Sequence, residues 1–561
     1  MPEMTVEEPV WYKSYAPGVK THLSYERATM PEALTRTAGR FGEKVALNFM
    51  GRKITYRELD ELVNRFARAL ESIGIAAGDK IAVMLPNLPQ TVIANLAIWR
   101  VGAVVVLANP LYTERELTHL LGDSDSVAVI TMGPLVKRVR SVMGETGVKQ
   151  IIACQVNDYL PFPKKQLFPY VKKDMYQKLE TAEWLFSFGD LMKGKSGTPV
   201  EDKSRWDELS TLIYTGGTTG TSKGVMLSHA NISCNAQQWR SWIPDLKDGE
   251  ESVVGTFPIF HAAGFTAVQN HSIWRAWEHL VIPRPDPAGI IEILKKSKPG
   301  ILPGVPTIFI GLLQDDEFRG ADLSFIKGFF SGAAPLPGDT IRDLKELTGA
   351  DISEVYGISE TSPIVAGTPW GGVIKAGTVG VPVPDTDVCI VDAEAGARAL
   401  PQGEVGEITI KGPQVMMGYY KNPEETALAI RDGYFYSGDL GFLDEDGYLT
   451  IVDRKKDLII AGGYNIYPVE IDNVLFDHPK ILEACTIGIP DSYRGETPKA
   501  FIVVTDGDTL TEEEVITFAR ERLAAYKVPK LIEFVDELPK SSVGKILRRE
   551  LRDREVGKTT A

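Results

Sequence analysis

What the chain lacks narrows it first. Its 561 residues include only four cysteines, Cys154, Cys234, Cys389 and Cys485, far apart and with no C-x-x-C pair. That excludes a disulfide framework and a cysteine-built zinc site, and leaves reduced, mostly buried thiols of the kind expected in a cytoplasmic protein. Basic residues do not predominate: 61 Lys and Arg against 75 Asp and Glu give a formal charge of −14, which argues against general nucleic-acid affinity. The longest apolar stretch, around 101–108, is far short of a membrane span. Residues Met1 to Val10 are acidic and carry no basic-then-apolar leader. No repeat of solenoid period and no low-complexity tract is present. The chain is too long for a single core, so two or more domains are expected.

What is present in the first part is alternation. Thr55 and Glu58 make a capping box, Leu59, Leu62, Val63, Phe66, Leu70 and Ile73 recur at helical spacing, and Gly74 ends the helix. Ile81–Leu85 is a buried strand stopped by Pro86. A helix through Val92, Leu96 and Trp99 leads to a strand at Ala103–Leu107, and Thr113 with Glu116 caps the next helix before Val127–Thr131. Strand–helix–strand repetition predicts an α/β fold with mostly parallel sheets covered by helices. The last hundred or so residues read as a compact α+β module: a helix at Pro468–Phe476, strands at Cys485–Ile489 and Ala500–Val504, a helix at Glu512–Leu523 and a strand near Ile532–Val535.

The most informative segment is Tyr214-Thr215-Gly216-Gly217-Thr218-Thr219-Gly220-Thr221-Ser222-Lys223-Gly224. Its glycines let the backbone turn tightly and expose N–H groups, while hydroxyls and Lys223 add donors and one positive charge, a combination suited to a polyphosphate. The lysine is followed by Gly224, so this is not the ordinary P-loop spacing. The apolar residues Leu209 to Tyr214 form the strand that enters the loop.

This run resembles the phosphate loop of the adenylate-forming acyl-CoA synthetases, the ATP-dependent AMP-binding superfamily that also holds luciferases and peptide-synthetase adenylation domains. Five further matches follow in that family's order: Phe329 to Leu336, Tyr356-Gly357-Ile358-Ser359-Glu360-Thr361, Tyr436-Ser437-Gly438-Asp439, Asp453-Arg454-Lys455-Lys456-Asp457, and Pro539 to Lys545. The resemblance implies a large N-terminal AMP-binding domain over 1–455, with a β-rich subdomain, and a small mobile C-terminal lid over 456–561 hinged near Lys456. It implies ATP, Mg2+ and coenzyme A as cofactor and co-substrates. Thr215, Gly216, Gly217, Thr218, Thr219, Gly220 and Lys223 would cradle phosphate, with Thr215 and Glu360 on magnesium. Tyr356 would stack on adenine against Gly332, Ala333 and Ala334, within a pocket completed by Gly357, Ser359 and Thr361. Asp439 would accept the ribose hydroxyls, Arg454 would support ribose or phosphate, and Gly462-Gly463 would leave room for pantetheine. Lys545 would bridge the acyl carboxylate and the α-phosphate. His261, in Pro258-Ile259-Phe260-His261-Ala262-Ala263-Gly264, matches the mouth of the acyl pocket, either as a structural histidine or as a group that places the carboxylate. His229, His271 and His279 read as structural.

The acid itself is less legible. No basic residue stands out in 257–275, 332–334 or 357–366 to pair with a second carboxylate, so an apolar monocarboxylate fits better than an amino acid. The run Asn109 to Leu117 and the insert Tyr159 to Lys164 look like bacterial long-chain fatty-acid–CoA ligases, which implies a fatty acid of medium to long chain. An aromatic-acid ligase of the coumarate type, or an acyl-AMP ligase loading a carrier protein, would share the ATP motifs. A non-catalytic nucleotide or lipid sensor would not need the intact Lys223, Glu360, Asp439 and Lys545. Residues 155–205 interrupt the alternation. Aromatics mixed with lysines at 157–173 suit either a lipid–water interface, and so peripheral contact with the inner face of a membrane, or an insertion packed on the domain. A homodimer is a separate partner expectation.

Overall fold

The computed structural model describes residues 8–215, 222–393, 396, 398–461, 464–491, 494–505, 507–541 and 546–559. Packing divides the chain into two compact units, Met1–Asp387 with Ile410–Phe435, and Val388–Thr409 with Tyr436–Ala561. Residues 388–409 and 436–455, expected with the large domain, thus pack in the second unit.

The first unit holds two sheets with parallel cores. In one, Leu209–Thr215, Val104–Leu107, Lys80–Met84, Ser126–Met132, Gln150–Cys154 and Leu185–Ser187 lie side by side and parallel, with Lys223–Ser228 and Gly418–Tyr419 added antiparallel beyond Leu209–Thr215. In the other, Val45–Phe49, Glu278–Val281, Ser252–Gly255, Ile301–Gly304, Gly328–Gly332 and Asp351–Gly357 run parallel, flanked by antiparallel Arg52–Thr55 at one side and Ile364–Gly367 at the other. Strands such as Val104–Leu107 are buried along their whole length, as helix-covered parallel sheets require.

The helix after Thr55 runs Tyr56–Ser72, and the Thr55 hydroxyl accepts from Glu58 N as expected. The reciprocal half of that capping box is not made: the Glu58 carboxylate pairs with Arg52, a full positive charge, in place of a backbone amide. At Thr113 the box is complete, with Glu116 accepting from Thr113 N and the helix running Glu114–Asp123. Three cysteines are buried and Cys389 is half-buried, all unbridged. Among the described residues no helix is long and apolar enough to cross a membrane.

In the second unit, Leu449–Arg454 pairs antiparallel with Tyr434–Leu443, placing Arg454 opposite Asp439. A further sheet joins Tyr464–Ile466, Ile459–Ala461, Gly495–Val504, Ile481–Asp491 and Leu531–Phe534. Its helices are Pro468–Phe476, Glu512–Arg520 and Arg548–Thr559, and its core gathers Ile459, Ile471, Leu475, Ala484, Ile502 and Val515. The α+β module read from the sequence is present. Its two central strands are longer than their apolar stretches because Ile481–Asp491 and Gly495–Val504 zip together as one long hairpin.

Candidate active site

The candidate segments of the first unit sit at the carboxyl ends of parallel strands, where α/β folds leave a crevice for ligands. Thr215 ends Leu209–Thr215 and is registered opposite Lys223, so the phosphate-loop motif is the connection of an antiparallel hairpin. Gly216, Gly217, Thr218, Thr219, Gly220 and Thr221 themselves lie outside the described residues, as do Gly462, Gly463 and Lys545.

Lys223 does not stand alone. Its ammonium is ion-paired with Glu425, from the short helix Pro423–Ala429, and lies 5.2 Å from the centre of the Tyr419 ring. Tyr419 in turn donates its hydroxyl to Glu360 Oε1 at 3.1 Å. Burial and the adjacent Glu360 carboxylate push the Tyr419 phenol well above its ordinary range, so it stays a donor. Three stretches distant in sequence, around 223, 360 and 419–425, thereby bring Lys223, Glu360, Tyr419 and Glu425 together. Tyr419 and Glu425 were not found by reading motifs. Their placement follows from the pairing of Gly418–Tyr419 with the Lys223 strand, a tertiary signal with no local sequence mark.

Glu360 is carried on a single tight turn, Ser359–Thr361, at the end of Asp351–Gly357. The turn is held from within: Thr361 Oγ1 lies 2.6 Å from the Pro363 carbonyl, and Ile358 N donates to the same oxygen at 3.0 Å. The Thr361 hydroxyl therefore shapes the loop, and Ser359 sits half-buried at its start. Gly357 is obligatory there, because a Cβ would stand 2.1 Å from the Pro363 oxygen. The Glu360 carbonyl accepts from Met416 N at 2.8 Å, which ties the turn to the segment leading to Tyr419.

The neighbouring strand supplies a shelf. Gly332 is registered against Val355, next to the buried Tyr356, and Ala333 and Ala334 follow, exposed. Ala333 takes φ +72°, uncommon for a residue with a side chain. A small, exposed, left-handed step beside an aromatic ring has the shape needed to lay a flat base against backbone. Beneath it lies a residue the motifs did not reveal: Glu354, whose carboxylate accepts from Leu336 N at 3.2 Å and is pushed up by burial to about 7.

His261 lies in the tight turn before a π-helical stretch, Ala263–Asn270, an irregularity common where side chains are aimed at a ligand. The turn closes because Gly264 has no Cβ; one would sit 2.2 Å from the Pro258 oxygen. Burial lowers His261 to about 4, so its ring is neutral at ordinary pH. His229 packs its ring edge-on against Trp99, His271 packs edge-on between Trp239 and Trp277, and these two and His279 are buried, the surroundings expected of structural histidines.

In the second unit Asp439 and Arg454 meet, Nε to Oδ1 at 3.1 Å. The charged segment that follows is anchored at several points. Asp453 accepts from Val469 N at 2.9 Å, capping the helix Pro468–Phe476, Lys455 pairs with Glu407 at 2.9 Å, and Asp457 pairs with Arg552 of the C-terminal helix. Lys456 is exposed among these anchors. On the other side of the Lys545 segment, Arg548 pairs with buried Asp472 and also donates to the Thr486 carbonyl at 3.3 Å.

As donors, Glu360 and Thr215 offer hard oxygens of the kind magnesium takes. Among the described residues no group of three or more His, Cys, Asp or Glu is assembled for a metal, so an ion here would take its remaining ligands from phosphate and water.

The AMP-binding enzyme pattern matches residues 34–420 and the AMP-binding enzyme C-terminal domain matches 470–545. A long-chain-fatty-acid–CoA ligase of Bacillus subtilis (strain 168) is 44% identical over 97% of this chain and 98% of its own. One from Yersinia pestis is 38% identical over 98% of each. Among solved structures, ATP-bound MatB from Rhodopseudomonas palustris superposes with a TM-score of 0.83 at 30% identity, over 94% of this chain and 99% of that one. The chain belongs to the AMP-binding enzyme family.

Proposed function

We propose that this protein joins a fatty acid of medium to long chain to coenzyme A through an acyl-adenylate, consuming ATP with Mg2+ and releasing AMP and pyrophosphate. The single observation that carries the reading is the full-length likeness to long-chain-fatty-acid–CoA ligases, supported by the Lys223–Tyr419–Glu360 constellation at the mouth of the phosphate-loop hairpin. A carboxylate resists a thiol because it is anionic and lacks a leaving group. Transfer of AMP to it supplies the leaving group, and the thiol of coenzyme A then displaces AMP.

Bringing an anionic carboxylate to an anionic phosphorus asks mainly for positioning and charge neutralisation. In this reading the loop amides and hydroxyls of Thr215 to Thr219 with Gly220 and Lys223 hold phosphates, and Glu360 and Thr215 hold magnesium. Tyr356 and the Gly332–Ala334 shelf, with Gly357, Ser359 and Thr361, hold adenine. Asp439 takes the ribose and Arg454 its neighbouring charge, His261 places the carboxylate as a neutral donor, and Lys545 bridges the reacting groups. Gly462 and Gly463 admit pantetheine in the second step, after a hinge movement at Lys456 has withdrawn Lys545. A cytoplasmic location with peripheral membrane association belongs to the same proposal, since fatty acids partition into lipid. The mostly apolar residues expected around the acyl chain, such as Phe257, Phe265 and Val268, favour a fatty acid over a polar one.

The test is coenzyme-A-dependent AMP release across acids of two to twenty carbons together with coumarate. Highest kcat/KM on a chain of eight carbons or more is expected. Preference for coumarate would move the protein to the aromatic-acid ligases, and acid-dependent pyrophosphate exchange without thioester would make it an acyl-AMP ligase. In addition, Lys545→Ala should abolish adenylation yet spare thioester formation from pre-made acyl-adenylate; equal loss of both would contradict the assignment.

A further inference from the structure

Between Tyr159 and Lys173 the sequence carries Lys164, Lys165, Lys172 and Lys173 and no acidic residue, in a chain whose formal charge is −14. The structure folds this stretch into the helix Lys164–Val171, which buries none of its residues. Eight residues without a buried face are far below the length at which a helix stands alone in water, so something else must hold it. What holds it is polar and lies at its base. Asn157 Nδ2 donates at 3.1 Å to the Lys165 carbonyl, the acceptor that Pro169 leaves without its helical donor. Lys165 Nζ donates to the Asp158 carbonyl at 3.0 Å, Asp158 accepts from Gln155 N at 2.9 Å, and Gln90 Nε2 donates to the Gln155 carbonyl at 2.8 Å. The helix is thus clamped by its backbone, and all its apolar side chains except Phe168 and Pro169 are left exposed.

Those side chains are large. Phe162 is 83% exposed, Tyr170 75%, Val171 71% and Leu167 53%. Met50, at the tip of the hairpin joining Val45–Phe49 to Arg52–Thr55, is 48% exposed, and its carbonyl accepts from Lys164 Nζ at 3.4 Å. Leu160 is buried and Phe168 half-buried, so the reading of an insertion packed on the domain holds for them, but not for the other four.

We propose that Met50, Phe162, Leu167, Tyr170 and Val171, with Lys164, Lys172 and Lys173, form a docking surface for an anionic lipid bilayer. The chemistry is that of an interfacial anchor: rings and aliphatic groups enter the headgroup boundary while ammonium groups meet lipid phosphates. Charge complementarity selects this occupant. In a two-fold contact with a second copy these lysines would face their own counterparts and repel, whereas a negative surface attracts them, although Asp174 and Glu292 stand at the margins of the patch. The surface deepens the fatty-acid reading by naming where the substrate's reservoir is met, but its chemistry does not depend on that reading.

The experiment is co-sedimentation of the full chain with vesicles of phosphatidylcholine alone or mixed with phosphatidylglycerol, at low and at moderate salt. Wild type is expected to bind the mixed vesicles, to bind phosphatidylcholine at least tenfold more weakly, and to lose most binding as salt rises. Lys172→Glu with Lys173→Glu, and separately Phe162→Ser with Tyr170→Ser, should each lower the mixed-vesicle partition coefficient at least tenfold. Because these side chains are exposed, both variants should keep the wild-type melting temperature and the wild-type rate of AMP release on octanoate in solution. Equal binding by wild type and both variants, or none by wild type, overturns the proposal. So does conversion of a wild-type dimer into a monomer by Phe162→Ser with Tyr170→Ser, with vesicle binding unchanged, since the face would then belong to a second copy. Failure of the acid panel with vesicle binding intact would count against the fatty-acid reading alone.

Discussion

One ion pair at the candidate site of the first unit and two at the C-terminal helix of the second hold their charges in opposite ways, although the first unit also buries a pair, Arg100–Asp60, away from the site. In the first, Lys223 is paired with Glu425 on a short surface helix and rests on the Tyr419 ring, both contacts at partly accessible side chains. In the second, Asp472 is buried against Arg548, and Asp457 is buried against Arg552. A partly solvated ion pair is worth little and can be exchanged for another partner, whereas breaking a buried one strands a charge. Under the proposed function, in which Lys223 meets phosphate, the comparison teaches that a charge meant for a ligand is kept exchangeable. Arg548 and Arg552 are held permanently, and they fix the C-terminal helix Arg548–Thr559 to the core of the second unit.

The sharpest way to break this contrast is Arg548→Ala, which should cost about 3–5 kcal/mol because Asp472 loses its partner in the interior. Denaturant unfolding followed by a probe in the second unit measures it, and a cost under about 1 kcal/mol would erase the distinction between the units. Next comes Glu354, which keeps a proton up to about pH 7 when folded and loses it near 4.3 when unfolded. The folded chain therefore binds more protons between those values, so stability falls as pH rises from about 4.3 to 7 and stays lower above. Glu354→Gln keeps an acceptor for Leu336 N and should recover about 3 kcal/mol at pH 8 and nothing at pH 4. Melting temperatures of both proteins across that range should diverge upward with pH; parallel curves would refute it. Lys223→Ala should lower the adenylation rate roughly 100-fold, by analogy with the loss of one donor to developing charge. The smallest effect belongs to Glu425→Gln. Freeing the ammonium from a competing carboxylate should lower the KM for ATP by less than about tenfold with kcat nearly unchanged, as expected of an exposed pair. A loss as large as that of Lys223→Ala would mean that Glu425 holds the lysine in place and is not exchanged.

Much of the fold was legible because it depends on short-range pattern. Thr113 with Glu116, the helix Pro468–Phe476 and the apolar strand around Ile81 appear where their spacing put them. The failures are equally instructive. Glu58 sits three residues after Thr55 as a capping box requires, but Arg52 offers it a charge, and a charged partner outbids an amide. Phe162 and Tyr170 left two readings open, packed or exposed, and only the structure decided, because Asn157 and Asp158 clamp the backbone beneath them and leave the rings outside. For the site, the phosphate loop and the Glu360 turn were legible as motifs, while Tyr419, Glu425 and Glu354 were not. A lone tyrosine or glutamate has no spacing to mark it.

Sequence alone determined the chemistry available: a run of glycines and hydroxyls ending in Lys223, a glutamate after Ser359, an aspartate after Gly438, and the parallel α/β order that puts such runs at strand ends. These follow from residue type and local spacing, which a chain carries whatever its remote parts do. Tertiary structure decided which charge each of these residues sees. Lys223 faces Glu425 and Tyr419, Glu360 faces Tyr419, and Asp457 faces Arg552, because strand pairing and burial bring together segments up to some two hundred residues apart. Electrostatic and desolvation energies depend on distance and surroundings in space, and neither is written in the order of the residues.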